Sequence, residues 1–99
     1  MTKYRIISEP GFTDTEDDTV VTFRLARDTM AAHPLGALLF GVTGNEPIPA
    51  IGDVVTVVEP PENDARDETV GADDVYGTDT TTGLGQWYAP SVLELIEEA

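Results

Sequence analysis

The chain is expected to fold as a small, mainly β (or α+β) domain, a barrel or sandwich of four to five strands with at most one or two short helices. Three observations predict this. Short runs rich in β-branched and aromatic residues recur along the sequence, each stopped by proline or glycine. The longest apolar run, Leu35 to Val42, carries Gly36 and Gly41, each of which disfavours a helix by about 1 kcal/mol. And 99 residues leave room for one domain with one modest core, burying roughly two-thirds of the surface of the unfolded chain.

Residues 3–8 alternate well enough for a first strand, which Glu9-Pro10-Gly11 stops; Thr13 to Asp18 reads as an acidic loop. Residues 19–27 carry the strongest strand pattern, with Val21, Phe23 and Leu25 on one face and Thr22, Arg24 and Ala26 on the other. Paired as a long-looped hairpin, these two strands set Tyr4 opposite Phe23 and Ile6 opposite Val21. Asp28-Thr29 caps a short helical turn that ends near His33, because a residue before proline is biased away from helix. Leu35 to Val42 then reads as a buried strand, and Thr43 to Gly52 as loop. Asp53 to Glu59, apolar on both faces, suits the centre of a sheet. From Pro60 to Gln86 the chain is an acidic, threonine- and glycine-rich loop within the single domain 1–99. Trp87-Tyr88 resumes the apolar pattern. Residues 91–98 suit a helix capped by Ser91 or a strand that completes the sheet, and the strand is preferred. There is no internal repeat.

Charge is the strongest signal. Nineteen Asp and Glu stand against five basic residues, for a net charge of −14. Only Lys3 among the five is a lysine. Such a chain repels itself at low ionic strength, whereas near 1 M salt the Debye length falls to about 3 Å and the repulsion largely vanishes. In its acidity and its scarcity of lysine the composition looks like that of haloarchaeal proteins, cellular or viral. A nucleic-acid mimic is the competing reading, but a mimic has no reason to avoid lysine. Nucleic-acid binding itself is not expected, for want of a basic stripe.

Chemistry-bearing motifs are few. With no cysteine and one histidine, His33 beside a proline, neither a thiolate site nor an activated nucleophile is expected, and the chain is read as not an enzyme. Asp14, Glu16 and Asp18 begin like a calcium loop, yet Thr19 stands where that loop needs glycine and Leu25 where it needs a bidentate glutamate. Asp73, Asp74 and Asp79 have no recognised ligand spacing, so no cofactor or specific metal is expected, only diffuse cation association. Gly41-Val42-Thr43-Gly44 reads as a turn, not a phosphate cradle. No signal core or membrane-length apolar run is present. The protein is therefore expected in the cytoplasm or incorporated into a virus particle.

What remains are two candidate interaction surfaces. In the hairpin register above, Lys3, Arg5 and Arg24 crowd one face, with Arg27 close by; like charges across a ladder are unfavourable, so a partner or the C-terminal glutamates must compensate. Arginine pairs carboxylates in bidentate fashion, which makes Arg24 and Arg27 the expected anchors. Tyr76, Trp87 and Tyr88 form an aromatic cluster of the kind that anchors interfaces or fills cores. The expectation is a non-catalytic structural or interaction subunit of a halophilic system, bound to other protein subunits including copies of itself. By analogy of size and loop style alone, a connector or decoration protein of a virion fits; the alternative is a small cellular regulatory or accessory protein, and after it a nucleic-acid mimic or a small enzyme.

Overall fold

The computed structural model describes residues 1–98 and orders them as β1 (Lys3–Ile6), β2 (Gly11–Asp14), β3 (Thr19–Thr22), α1 (Phe23–Ala32), α2 (Pro34–Phe40), β4 (Val54–Val57), β5 (Val75–Asp79), β6 (Gly85–Tyr88) and β7 (Leu93–Glu97), with short 3-10 turns at Glu62–Asp64 and Pro90–Val92. The fold is mainly β. One antiparallel sheet has the strand order β6-β5-β4-β1-β7, and β2 and β3 form a separate hairpin. Because β6 and β7 remain at opposite edges of the larger sheet, the expected barrel does not close.

Register explains the core. Tyr4 stands opposite Val55, Val55 opposite Asp79, Ile6 opposite Leu93 and Val75 opposite Tyr88. Ile6, Val55, Tyr88, Val92 and Leu93 are buried there, and Phe23 closes over them with its ring edge-on to Tyr88, centroids 5.3 Å apart. The β4 strand is central, as its two-sided apolar pattern predicts, and residues 93–97 complete the sheet as a strand.

Four expectations are corrected. The first hairpin is β2–β3, not β1 with residues 19–27: Gly11 stands opposite Thr22 and Phe12 opposite Val21, while β1 pairs with β4 and β7. The stretch 19–27 divides at Thr22, whose hydroxyl accepts the Leu25 amide at 3.1 Å and caps α1. Phe23, Ala26, Arg27 and Met30 are spaced i, i+3, i+4, i+7, a helical stripe hidden beneath the alternation. That helix ends at extended His33, at the expected end but from an earlier start.

The buried strand at 35–42 is instead helix α2. Pro34 occupies its first turn, the His33 imidazole accepts the Leu35 amide through Nδ1 at 3.1 Å, and Gly41 ends it at φ +65°. Gly36 lies against the Met30 carbonyl, where any Cβ would collide. The two glycines that argued for a strand are thus what this helix requires.

Finally, the expected loop 60–86 contains β5 and the first two residues of β6, and its remainder is tied down by side chains. The Arg66 guanidinium donates to the carbonyls of Gly71, Ala72 and Asp74. Asp74, itself buried, accepts the Thr13 amide at 3.0 Å and the Thr13 hydroxyl at 2.6 Å, binding the segment to β2. An acidic sequence with few apolar residues is ordered here by hydrogen bonds rather than by a core of its own.

Candidate interaction surfaces

The basic residues do not gather on one hairpin face. Lys3 and Arg5 lie on β1 beside β7: the Lys3 ammonium is 4.0 Å from Glu97, and Arg5 stands opposite Glu94 in the register. Arg24 and Arg27 lie on α1. Arg24 pairs with Glu9 at 3.0 Å, and Arg27 bonds Asp28 and, at 2.8 Å, the Glu46 carbonyl. These guanidinium groups are engaged within the chain, and both pairs sit near the surface, where ion pairs contribute little.

The aromatic cluster divides. Tyr88 is fully buried and belongs to the core. Tyr76 and Trp87 oppose each other across β5 and β6, edge to face with centroids 5.2 Å apart. The Tyr76 hydroxyl donates to Asp64 at 3.1 Å, the Trp87 indole donates to the Asp64 carbonyl at 2.8 Å, and Arg66 lies 4.6 Å from the Trp87 ring centre. Burial, then Asp64, raises the Tyr76 phenol above its ordinary range. This pair forms one wall of a cleft of about 600 Å³, whose lining mixes the apolar Phe12, Phe23, Ile48 and Val70 with polar groups that include Arg27, Glu46, Asp64 and Asp74. Its carboxylates are turned to the chain itself. Asp74 holds Thr13, and Glu46 accepts the amides of Thr43 and Gly44 and the Thr43 hydroxyl, which holds its carboxyl down at about 2.

A second surface was not singled out by residue type. Helix α2 is apolar all round and only Gly36 is buried; Leu38 is 79% exposed, Phe40 69%, Leu39 66% and Leu35 55%. A helix apolar on every side is normally a buried one. Met30 of α1, against whose backbone Gly36 packs, is itself 40% exposed, and residues 29–45 contain no Asp, Glu, Lys or Arg in a chain otherwise dense in carboxylates. The signal was present in the proline-to-glycine bracket around Leu35–Phe40.

Beneath the sheet lies a third feature. Asp79 is 2% exposed because its register position falls on the core face. Its Oδ2 accepts the amides of Thr81 and Thr82, at 3.1 and 2.7 Å, while Oδ1 and the Tyr88 hydroxyl have no partner. Burial, with Asp53 beside it, raises the Asp79 carboxyl; the Thr81 hydroxyl and the Ala50 amide lower Asp53. Tyr88 is raised by burial first and by both carboxylates next. Among the described residues no three of His, Cys, Asp and Glu converge as a metal site, the acidic runs at 14–18 and 73–79 included, and no helix is long and apolar enough to cross a membrane.

No protein-family model matches this chain, no curated protein matches it, and no solved structure matches its fold.

Proposed function

We propose that the protein is a non-catalytic interaction subunit of a high-salt assembly, docked onto other protein subunits through the α1–α2 hairpin. The carrying observation is α2 itself, a charge-free apolar helix that this chain leaves uncovered. Burial of Leu35, Leu38, Leu39 and Phe40 contributes ~1.5–3 kcal/mol per side chain, ample for a specific contact. The composition supports the salt regime, since molar salt screens the net charge of −14 and leaves apolar contact as the dominant attraction. A virion component is one such assembly. The non-catalytic reading is supported by the cleft, whose carboxylates are occupied with the chain's own amides and hydroxyls.

A photo-crosslinking residue at Leu38, introduced in the native host, is expected to give one discrete protein adduct whose mass distinguishes a second copy from a different subunit. No adduct, or an equal yield from the exposed acidic control position Glu62, would contradict the reading.

A further inference from the structure

The aromatic cleft carries a charge pattern of its own. Two aromatic pairs bound it: Phe12 with Phe23, centroids 6.3 Å apart, and Tyr76 with Trp87, 5.2 Å apart. Three carboxylates join them in the lining, those of Glu46, Asp64 and Asp74, against a single base, Arg27. The Arg27 guanidinium is already paired with Asp28 at 3.1 Å, whereas among the described residues no cation pairs with any of the three acids. Their oxygens are held by the chain's own neutral donors. Glu46 accepts the Thr43 and Gly44 amides and the Thr43 hydroxyl, Asp74 accepts the Thr13 amide and hydroxyl, and Asp64 accepts the Tyr76 hydroxyl. A neutral donor satisfies an oxygen without cancelling its charge, so the cleft combines aromatic surface with negative charge that nothing in the chain neutralises.

We infer that the cleft binds a small quaternary ammonium cation, a role that goes beyond the docking of α2 and does not depend on it. Each feature of the lining selects part of that chemistry. Positive charge is favoured by the three uncompensated acids and by the net −14 of the whole chain. A neutral apolar ligand would instead cover those acids and leave them desolvated and unpaired. Methyl groups around the nitrogen suit the aromatic walls, because such a cation is attracted to the rings electrostatically and meets them with an apolar surface. The absence of N–H suits the acids, since a primary ammonium would give up its water for oxygens that amides and hydroxyls already hold. Trp87 already attracts one cation: Arg66, which does not line the cleft, lies 4.6 Å from its ring centre. At about 600 Å³ the cleft falls within the usual range for small-molecule sites.

Trp87 is the chain's only tryptophan, so its fluorescence reads the cleft. Three probes of one skeleton make the test: choline, its uncharged carbon isostere 3,3-dimethylbutan-1-ol, and its primary-ammonium counterpart ethanolammonium. Each is titrated at a constant ionic strength of ~1 M made up with KCl, so that general screening is the same for all. Choline is expected to change the emission saturably and to bind roughly tenfold more tightly than either of the others. Asp64→Asn keeps an acceptor for the Tyr76 hydroxyl but loses the charge, and is expected to weaken choline binding at an unchanged Tm. Glu46→Gln takes its place if the first variant melts below wild type. No saturable response to choline overturns the inference. So does an isostere that binds as tightly, which would leave an apolar cleft only, or ethanolammonium that binds as tightly, which would leave a diffusely acidic surface. A choline affinity that survives loss of the charge overturns it too. None of these results bears on α2, which the crosslinking experiment tests separately.

Discussion

At the scale of single residues, the most consequential group is the buried Asp79. For an acid raised in the folded state, the native form binds the proton more tightly than the unfolded chain, so stability falls as pH climbs from the ordinary carboxylate range through the raised value. Asparagine at 79 still accepts the Thr81 and Thr82 amides through its side-chain oxygen and carries no carboxyl to titrate. Asp79→Asn is therefore expected to flatten the pH profile of thermal stability and to raise Tm at pH values above the ordinary carboxylate range. A variant less stable than wild type across the whole pH range contradicts a raised carboxyl at Asp79. Glu46 works in the opposite sense. Held down to about 2, chiefly by the Thr43 amide, it contributes order that is present above the ordinary carboxylate range and lost as pH falls toward that value. At neutral pH, Glu46→Gln is expected to speed hydrogen exchange at Thr43 and Gly44 while leaving Tm within about 2 °C, as for most exposed polar changes; unchanged exchange would show that the carboxylate does not order this turn.

At the scale of elements, Arg66 is the pin of the segment between β4 and β5. It holds three carbonyls and covers Trp87, so Arg66→Ala leaves a cluster of acceptors facing water and one wall of the cleft loose. The expected result is a loss of about 1–3 kcal/mol, the usual effect of removing a charged donor, read from denaturant melts; no measurable loss would contradict the pinning role. This segment also shows where sequence reasoning stops. The β4 strand and the final strand were legible because their apolar residues are dense and their ends are marked by proline or by the chain's polar tail. The hairpin β2–β3 was not, since its turn is a run of acids that resembles a solvated loop, and β5 was not, since Gly77 and Asp79 dilute its pattern. Residues 19–27 satisfied both periodicities, and the Thr22 cap decided between them. Of the interaction residues, Trp87 and Tyr76 do line a surface cleft, whereas Lys3 and the α1 arginines are taken up by the chain's own acceptors and Arg5 faces Glu94. Helix α2 is missed because an apolar run interrupted by glycine reads as a buried strand, whereas in this chain it is an exposed helix.

At the scale of the whole molecule, two properties pull in opposite directions: a net charge of −14 that drives copies apart and an uncharged apolar helix left open to contact. Salt sets the balance. Dilution from ~1 M to about 0.1 M lengthens the Debye length from about 3 to about 10 Å, so self-repulsion returns within the fold and between copies. Circular dichroism is expected to lose secondary structure over that dilution, and a spectrum unchanged at the lower salt would contradict the halophilic reading. The most direct test of the central claim, that α2 is a docking element, is the native mass of the protein and of its L38D/F40D variant in ~1 M KCl. Where the partner is a second copy, the account predicts a multimer for the wild type and a monomer of unchanged thermal stability for the variant. Equal masses for the two in a multimeric wild type would place the contact elsewhere and contradict it.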